Sequence, residues 1–290
     1  MIVVTGATGE LGRHTISFLL KKLPAQQIIG VGRTAGKAEG LKESEIMVRI
    51  ADYSNYDSLV KGFKGADKIM MVSSPDPISR VEHHKNVINA AKETGVKFIV
   101  YTAMQQHADR KTKLMYSTEP DNETIEYIKE SGIDYCIIKN PSYIDAIPFF
   151  LGANVLEKGV QMPGGQGKAS YADREDLGEA SATILLESNQ YKNKEITLTG
   201  EISYSYNDIA NILSEITGKP ISYTNISPEQ YIKNRIADGV PDFLADFLAK
   251  WIDGIKNNVF EEVYPDLERI LGRKPHSLKE FLKSTYLTKI

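Results

Sequence analysis

The sequence predicts an α/β protein: a doubly wound parallel sheet with a smaller, helix-rich C-terminal lobe. Three observations carry this. Short apolar runs alternate with helical patterns through the first half of the chain. The runs are almost continuously apolar, as strands covered on both faces must be. A glycine-rich stretch follows the first run at once. With 290 residues, 41% of them hydrophobic and 25% charged, the chain has material for a sizeable core.

The elements follow in order. "MIVVT" (1–5) is rich in β-branched residues and reads as a strand. "LGRHTISFLLKKL" (11–23) repeats apolar residues near helical spacing. Strand "IIGVG" (28–32), a short helix and strand "IMVRI" (46–50) come next. Helix "YDSLVKGFKG" (56–65) leads to strand "DKIMMVSS" (67–74). Helix "SRVEHHKNVINAAKETG" (79–95) ends in a glycine suited to cap it. Strand "KFIVYTA" (97–103), a helix over 122–131 and strand "DYCIIK" (134–139) complete the alternation. Right-handed crossovers then set ligands at the carboxyl ends of the strands.

After about residue 140 the rhythm changes. A glycine-rich turn precedes a helix over 174–186, and further helices run to the end. We therefore divide the chain into a domain at 1–145 and a smaller lobe at 146–290. The lobe is expected to interleave with the domain and to close a cleft over it.

Charge and cysteine usage narrow the function classes. A net charge of −3 carries no basic surplus for nucleic acid. Cys136 is the one cysteine, so no internal disulfide forms and a reducing, cytoplasmic setting is expected. No signal-peptide pattern opens the chain, and no apolar run approaches the ~20 residues that span a bilayer. His83 and His84 are adjacent on a helix and diverge, so they make no paired metal site, and no metal is expected. "DFLADFLAKWIDGI" (242–255) is apolar at helical spacing and reads as core or interlobe packing, with a homo-oligomer surface as the alternative.

"VTGATGELG" supplies the first candidate site: Gly6, Ala7, Thr8, Gly9, Glu10, Leu11 and Gly12. Gly6 turns the strand into the helix, Gly9 admits a pyrophosphate close to the backbone, and Gly12 lets helix and strand pack. The helix N-terminus then faces the phosphates. In this position the motif points to a dinucleotide, and the sheet to the Rossmann-like arrangement. The second strand ends in Arg33 rather than an acid. A guanidinium grips a 2′-phosphate, so NADP(H) is expected over NAD(H). Ser73 and Ser74 end the fourth strand and pass beside the cofactor, with Pro75 bending the chain away.

Tyr135 and Lys139 carry the Tyr-x-x-x-Lys spacing that many reductases and epimerases use to deliver a proton. That pair needs a helix, where four residues make about one turn. "DYCIIK" is bounded by "SGI" and "NPS" and reads as a strand. Its two residues would lie about 13 Å apart, beyond coupling distance. The useful part is the strand end: Asn140, Pro141, Ser142 and Tyr143.

These stretches resemble the NmrA-like atypical short-chain dehydrogenases, within them the quinone and dye reductases. The likeness runs through "VTGATGELGRHTI", "VGRT", "RVEHHKNVINAAKETGVKFIVYTA", "SGIDYCIIKNPSYID", "GKASYADREDLGEASATILL" and "LGRKPHSLKEFL". It implies an NADPH-binding domain whose cofactor contacts come from Gly6 to Gly12, Arg33, Ser73, Ser74 and the Asn140 to Tyr143 turn, the last near the nicotinamide. Two departures bear on the substrate: "STEPDNE" stands where relatives carry Glu-His, and "NPSY" where they carry a turn like "NGWY". The activity expected is hydride transfer to a quinone or similar conjugated acceptor, a small molecule, with no catalytic side chain identified. Pro75, Met104, Tyr143 and Phe149 are the candidates to line its cleft. A non-catalytic NAD(P)-binding sensor acting through a protein partner is the alternative, and a nucleotide-sugar epimerase the third reading.

Overall fold

The computed structural model describes residues 1–109 and 111–287. They form two compact units: one of Met1–Met104, Tyr116–Asn140 and Arg174–Thr197, the other of Gln105–Met115, Pro141–Asp173 and Leu198–Ile290.

The first unit is built on β1 (Ile2–Val4), β2 (Ile28–Gly32), β3 (Met47–Ile50), β4 (Lys68–Met71), β5 (Phe98–Met104) and β6 (Asp134–Asn140). They lie in the order β3-β2-β1-β4-β5-β6, with strand Lys194–Thr197 beside β6 as a seventh. All pairings are parallel. The predicted doubly wound sheet is therefore present, with its switch point at β1. The helices α1 (Glu10–Leu20), α2 (Ala35–Ala38), α3 (Tyr56–Phe63), α4 (Arg80–Glu93) and α5 (Thr118–Ser131) connect the strands. On one face Val3, Ile29, Ile69, Ile99, Tyr101 and Ile137 meet Leu59, Phe63, Val87, Ile88, Ile125 and Ile128.

Two findings differ from the sequence reading. Lys194–Thr197, within a stretch not assigned to the sheet, extends it, and Ile137 and Ile138 of β6 pair with Glu195 and Ile196. Helix Arg174–Leu186 belongs to this same unit. Gly178 explains its approach to α1: a Cβ there would lie 2.5 Å from the His14 Cβ.

The second unit carries two small sheets. Lys168–Ala169 pairs with Tyr204–Ser205 antiparallel, and Val160–Met162 with Tyr223–Asn225 parallel. Helix Tyr206–Thr217 opens on a capping box of Ser205 and Asp208. Helices Pro228–Ala237, Asp242–Lys256, Asp266–Leu271 and Leu278–Leu287 follow. No helix among the described residues is long and apolar enough to cross a membrane.

Candidate functional site

The glycine turn sits at the carboxyl end of β1. Gly6 has φ of +59°, a left-handed conformation that side chains rarely adopt. A Cβ on Gly12 would stand 2.4 Å from the Gly6 carbonyl oxygen and 2.9 Å from the Ala7 Cα. Helix and turn thus meet backbone to backbone, and only glycine fits. The Gly9 amide closes the turn by donating to the Gly6 carbonyl at 2.9 Å. Ala7 is buried and donates its amide to Val31 of β2. Gly9 occupies the N-cap of α1, and no side chain caps the helix. A helix start leaves amide donors without carbonyl partners, which suits an anion.

Arg33 follows β2 directly and is exposed, as are Thr34 and Lys37. It lies near Asp52, whose carboxyl falls below its ordinary range through hydrogen bonds from Ser54 and the nearby Arg33 charge. The cationic end of β2 is therefore faced by an acid after β3.

The segments after β4 and at the end of β5 are held from beneath by buried polar groups. The Ser73 amide donates to Thr102 Oγ1 at 2.9 Å, and the Ser74 amide to His84 Nε2 at 2.8 Å. His84 is fully buried. Burial, helped by the Arg80 and His83 charges, lowers its pKa to about 3, so the ring is neutral. Thr124 donates its hydroxyl to the Pro120 carbonyl, so its oxygen accepts from His84 Nδ1, 2.8 Å away. These bonds fix one tautomer, with the proton on Nδ1. Beside it, Asp121 Oδ1 accepts from Arg80 Nη2 and from the Tyr101 hydroxyl at 2.7 Å, while Oδ2 accepts from the Met104 amide at 2.8 Å. Burial would lower Arg80, but the facing Asp121 carboxylate raises it and keeps it charged. Tyr101 is pushed well up by burial and then by Asp121, so it serves as a donor.

Sequence reasoning missed this support. The adjacency of His83 and His84 says nothing of it. The signal was the placement of Arg80, His84 and Ile88 four apart on one helical face. A charged residue and a histidine in register with buried aliphatics imply buried partners.

β6 confirms the strand predicted at Tyr135 and Lys139. Lys139 Nζ lies 2.8 Å from Glu195 Oε2, on the seventh strand. Tyr135 packs against the sheet core. At the end of β6, Asn140 is fully buried, and neither Oδ1 nor Nδ2 finds a hydrogen-bond partner among the described residues. A buried amide with both polar atoms unpaired is costly unless something else meets it.

The remaining predicted residues divide by unit. Pro75 is exposed, whereas Met104 is 9% exposed. In the second unit Pro141 and Ser142 are buried and Tyr143 half-buried. The turn is fixed by backbone bonds: Ile144 donates to Ala172, which donates to Ser142. Ser142 Oγ also accepts from Trp251 Nε1 at 3.3 Å. Phe149 is 46% exposed, with the Arg235 guanidinium 5.8 Å from its ring centre. A cavity of about 150 Å³ in this unit is lined by residues including Lys158, Gln161, Asn234 and Arg235, and by none of the predicted site residues.

Known proteins share this architecture along its whole length. The NmrA-like family model matches residues 1–287. Quinone oxidoreductase 2 of Escherichia coli is 34% identical over 282 residues, covering 97% of this chain and 96% of that protein. The NAD(P)H azoreductase of Xenophilus azovorans is 26% identical, over 98% of this chain and 97% of its own. The crystal structure of the E. coli NADPH-dependent quinone oxidoreductase complexed with NADPH aligns at TM-score 0.89 and 32% identity, over 99% of this chain and 100% of that one. Citrobacter sp. triphenylmethane reductase complexed with NADP(H) aligns at TM-score 0.90 and 31% identity, over 98% and 99%. The glycine turn, the parallel sheet and this end-to-end agreement have one meaning: the chain belongs to the NmrA-like family.

Proposed function

We propose that this protein is an NADPH-dependent reductase that passes hydride to a quinone or a similarly conjugated small molecule. The observation that carries it is the cradle at β1, where the space a Gly12 Cβ would fill is occupied by backbone. Sequence relatives and structural neighbours that are quinone, azo or dye reductases support the reading, two of those structures having been solved with NADPH or NADP(H).

The residues fit the cofactor. Amides of the Gly6 to Gly12 turn and the start of α1 would hold the pyrophosphate. Arg33, exposed after β2, would take the 2′-phosphate. Ser73 and Ser74 would flank the cofactor, and the unpartnered Oδ1 and Nδ2 of Asn140 would match a carboxamide, with Pro141, Ser142 and Tyr143 continuing that turn. When bound, the cofactor supplies a hydride.

The protein's contribution is orientation and exclusion of water. His84 and Asp121 hold the Ser74 and Met104 amides and so fix two segments of the site. A quinone that accepts hydride becomes a hydroquinone anion, which water protonates. No acid is needed at the reacting oxygen, in keeping with a Tyr135 and Lys139 placed along a strand. Carbonyl reduction and sugar epimerisation do need one. NADPH oxidation with a panel of quinones and cationic dyes tests the reading, and no turnover with any of them would defeat it.

A reducing, cytoplasmic setting accompanies this reading. It is supported by Cys136, a free, buried thiol that burial pushes up to about 12.

A further inference from the structure

The cavity of about 150 Å³ in the second unit has a buried cation in its wall. Arg235, on helix Pro228–Ala237, lines it and is 6% exposed. One side of the guanidinium is fixed. Nη1 donates to Asp238 Oδ2 at 3.2 Å, and a Cβ on Gly152, where φ is +86°, would collide with that nitrogen. The Phe149 ring centre lies 5.8 Å from the guanidinium carbon. On the other side Nε is buried and finds no hydrogen-bond partner among the described residues. The neutral wall amides bond elsewhere: Asn234 Nδ2 donates to Gln161 Oε1 at 3.4 Å, and Gln161 Nε2 to the Lys158 carbonyl at 3.4 Å. The Lys158 side chain is exposed and lines the same cavity, which sets a second cation at its rim.

A buried guanidinium donor without a partner is costly, and one already fixed on its far side is preorganised for an acceptor. Nε and Nη2 form the side-on edge of the guanidinium, the fork from which a carboxylate accepts through both oxygens. Charge points to the same ligand. The charged residues of the wall are Arg235, Lys158 and Asp238, two cations against one carboxylate, so a single negative charge is neutralised there. A phosphate dianion would be left in excess beside Asp238. Size excludes a nucleotide, since a cavity of this volume holds a molecule about as large as benzene. We propose that this cavity binds a small monocarboxylate, gripped by Nε and Nη2 of Arg235, with Lys158 adding its charge at the rim. Leu151 and Val155 offer an apolar wall to the rest of the ligand. Every residue of the site lies in the second unit, and hydride transfer does not require it.

Isothermal titration calorimetry of the full chain tests this with propionate and benzoate, their neutral amides propionamide and benzamide, and inorganic phosphate, at constant ionic strength. The site predicts saturable binding of at least one of the two carboxylates, with its amide at least about tenfold weaker. Arg235→Gln should weaken that carboxylate at least about tenfold. Lys158→Gln, at an exposed position that leaves the fold intact, should weaken it about twofold to fivefold. Urea unfolding compares Arg235→Gln with the parent protein, and if that variant has lost its cooperative transition, Lys158→Gln decides. No saturable binding of either carboxylate overturns the proposal. An amide that binds as well as its acid overturns it too, as does an affinity that neither variant changes. Phosphate bound more tightly than both carboxylates also overturns it. NADPH oxidation enters none of these readouts, so the reductase reading stands or falls separately.

Discussion

At the scale of single residues, the glycine turn proposed to cradle the cofactor is the feature whose geometry is most legible in the sequence. Its signal is local: three glycines at fixed spacing after a strand, with positions dictated by backbone contacts a few residues apart. The structure supplies the reason: Gly6 has a positive φ, and a Cβ on Gly12 would collide with the Gly6 carbonyl oxygen. The expectation that Arg33 takes a 2′-phosphate rests on the same local logic. Arg33 is exposed, so replacing it leaves the core intact. Arg33→Ser should weaken NADPH binding about tenfold to a hundredfold, the worth of about one charge-assisted bond, and leave NADH nearly unaffected. Titration of cofactor fluorescence measures both, and equal losses for the two cofactors would place the 2′-phosphate elsewhere.

At the scale of elements, the sequence was less informative, because partners lie on different helices. Asp121 on α5 and His84 on α4 meet only after the sheet brings their helices together. Nothing in "DNET" announces a buried carboxylate that organises Met104 at the end of β5. The histidine has a consequence for stability. Its folded pKa of about 3 lies below the ordinary value of 6.5. The unfolded state therefore takes up the proton first as pH falls. The contribution of a neutral His84 is complete above about pH 6.5 and is lost between there and pH 3, at about 1.4 kcal/mol per pH unit. Urea unfolding from pH 7 to pH 4 should show this slope, and His84→Gln should remove it while costing about 1–3 kcal/mol at pH 7. Identical slopes in the two proteins would rule out a buried, neutral imidazole.

β6 makes the opposite case: at a suggestive spacing the expected strand is present. The sequence around Tyr135 and Lys139 signalled a strand by its β-branched residues and the following Asn-Pro. The structure gives Lys139 a different partner, Glu195, on a strand that the sequence did not assign to the sheet. Tyr135→Phe should then leave quinone turnover within about twofold, whereas loss of a general acid costs about a hundredfold or more. A loss of that larger size would restore the pair to the mechanism.

At the scale of the whole molecule, the alternation of strands and helices announced the sheet, since each strand–helix repeat is read within about thirty residues. The return of Arg174–Leu186 and Lys194–Thr197 to the first unit was less visible. It depends on the Gly178 approach to α1 and on pairing with β6, contacts between segments far apart in sequence. Trp251 was legible as part of an apolar helix, but its bond to Ser142 was not. The proposed function is that of an NADPH-dependent reductase that needs no poised acid. The most direct test is steady-state NADPH oxidation by purified protein with naphthoquinones and benzoquinones, run in parallel with NADH. Turnover of quinones with clear preference for NADPH is the expected result. Tight NADPH binding without oxidation by any quinone or dye would contradict it.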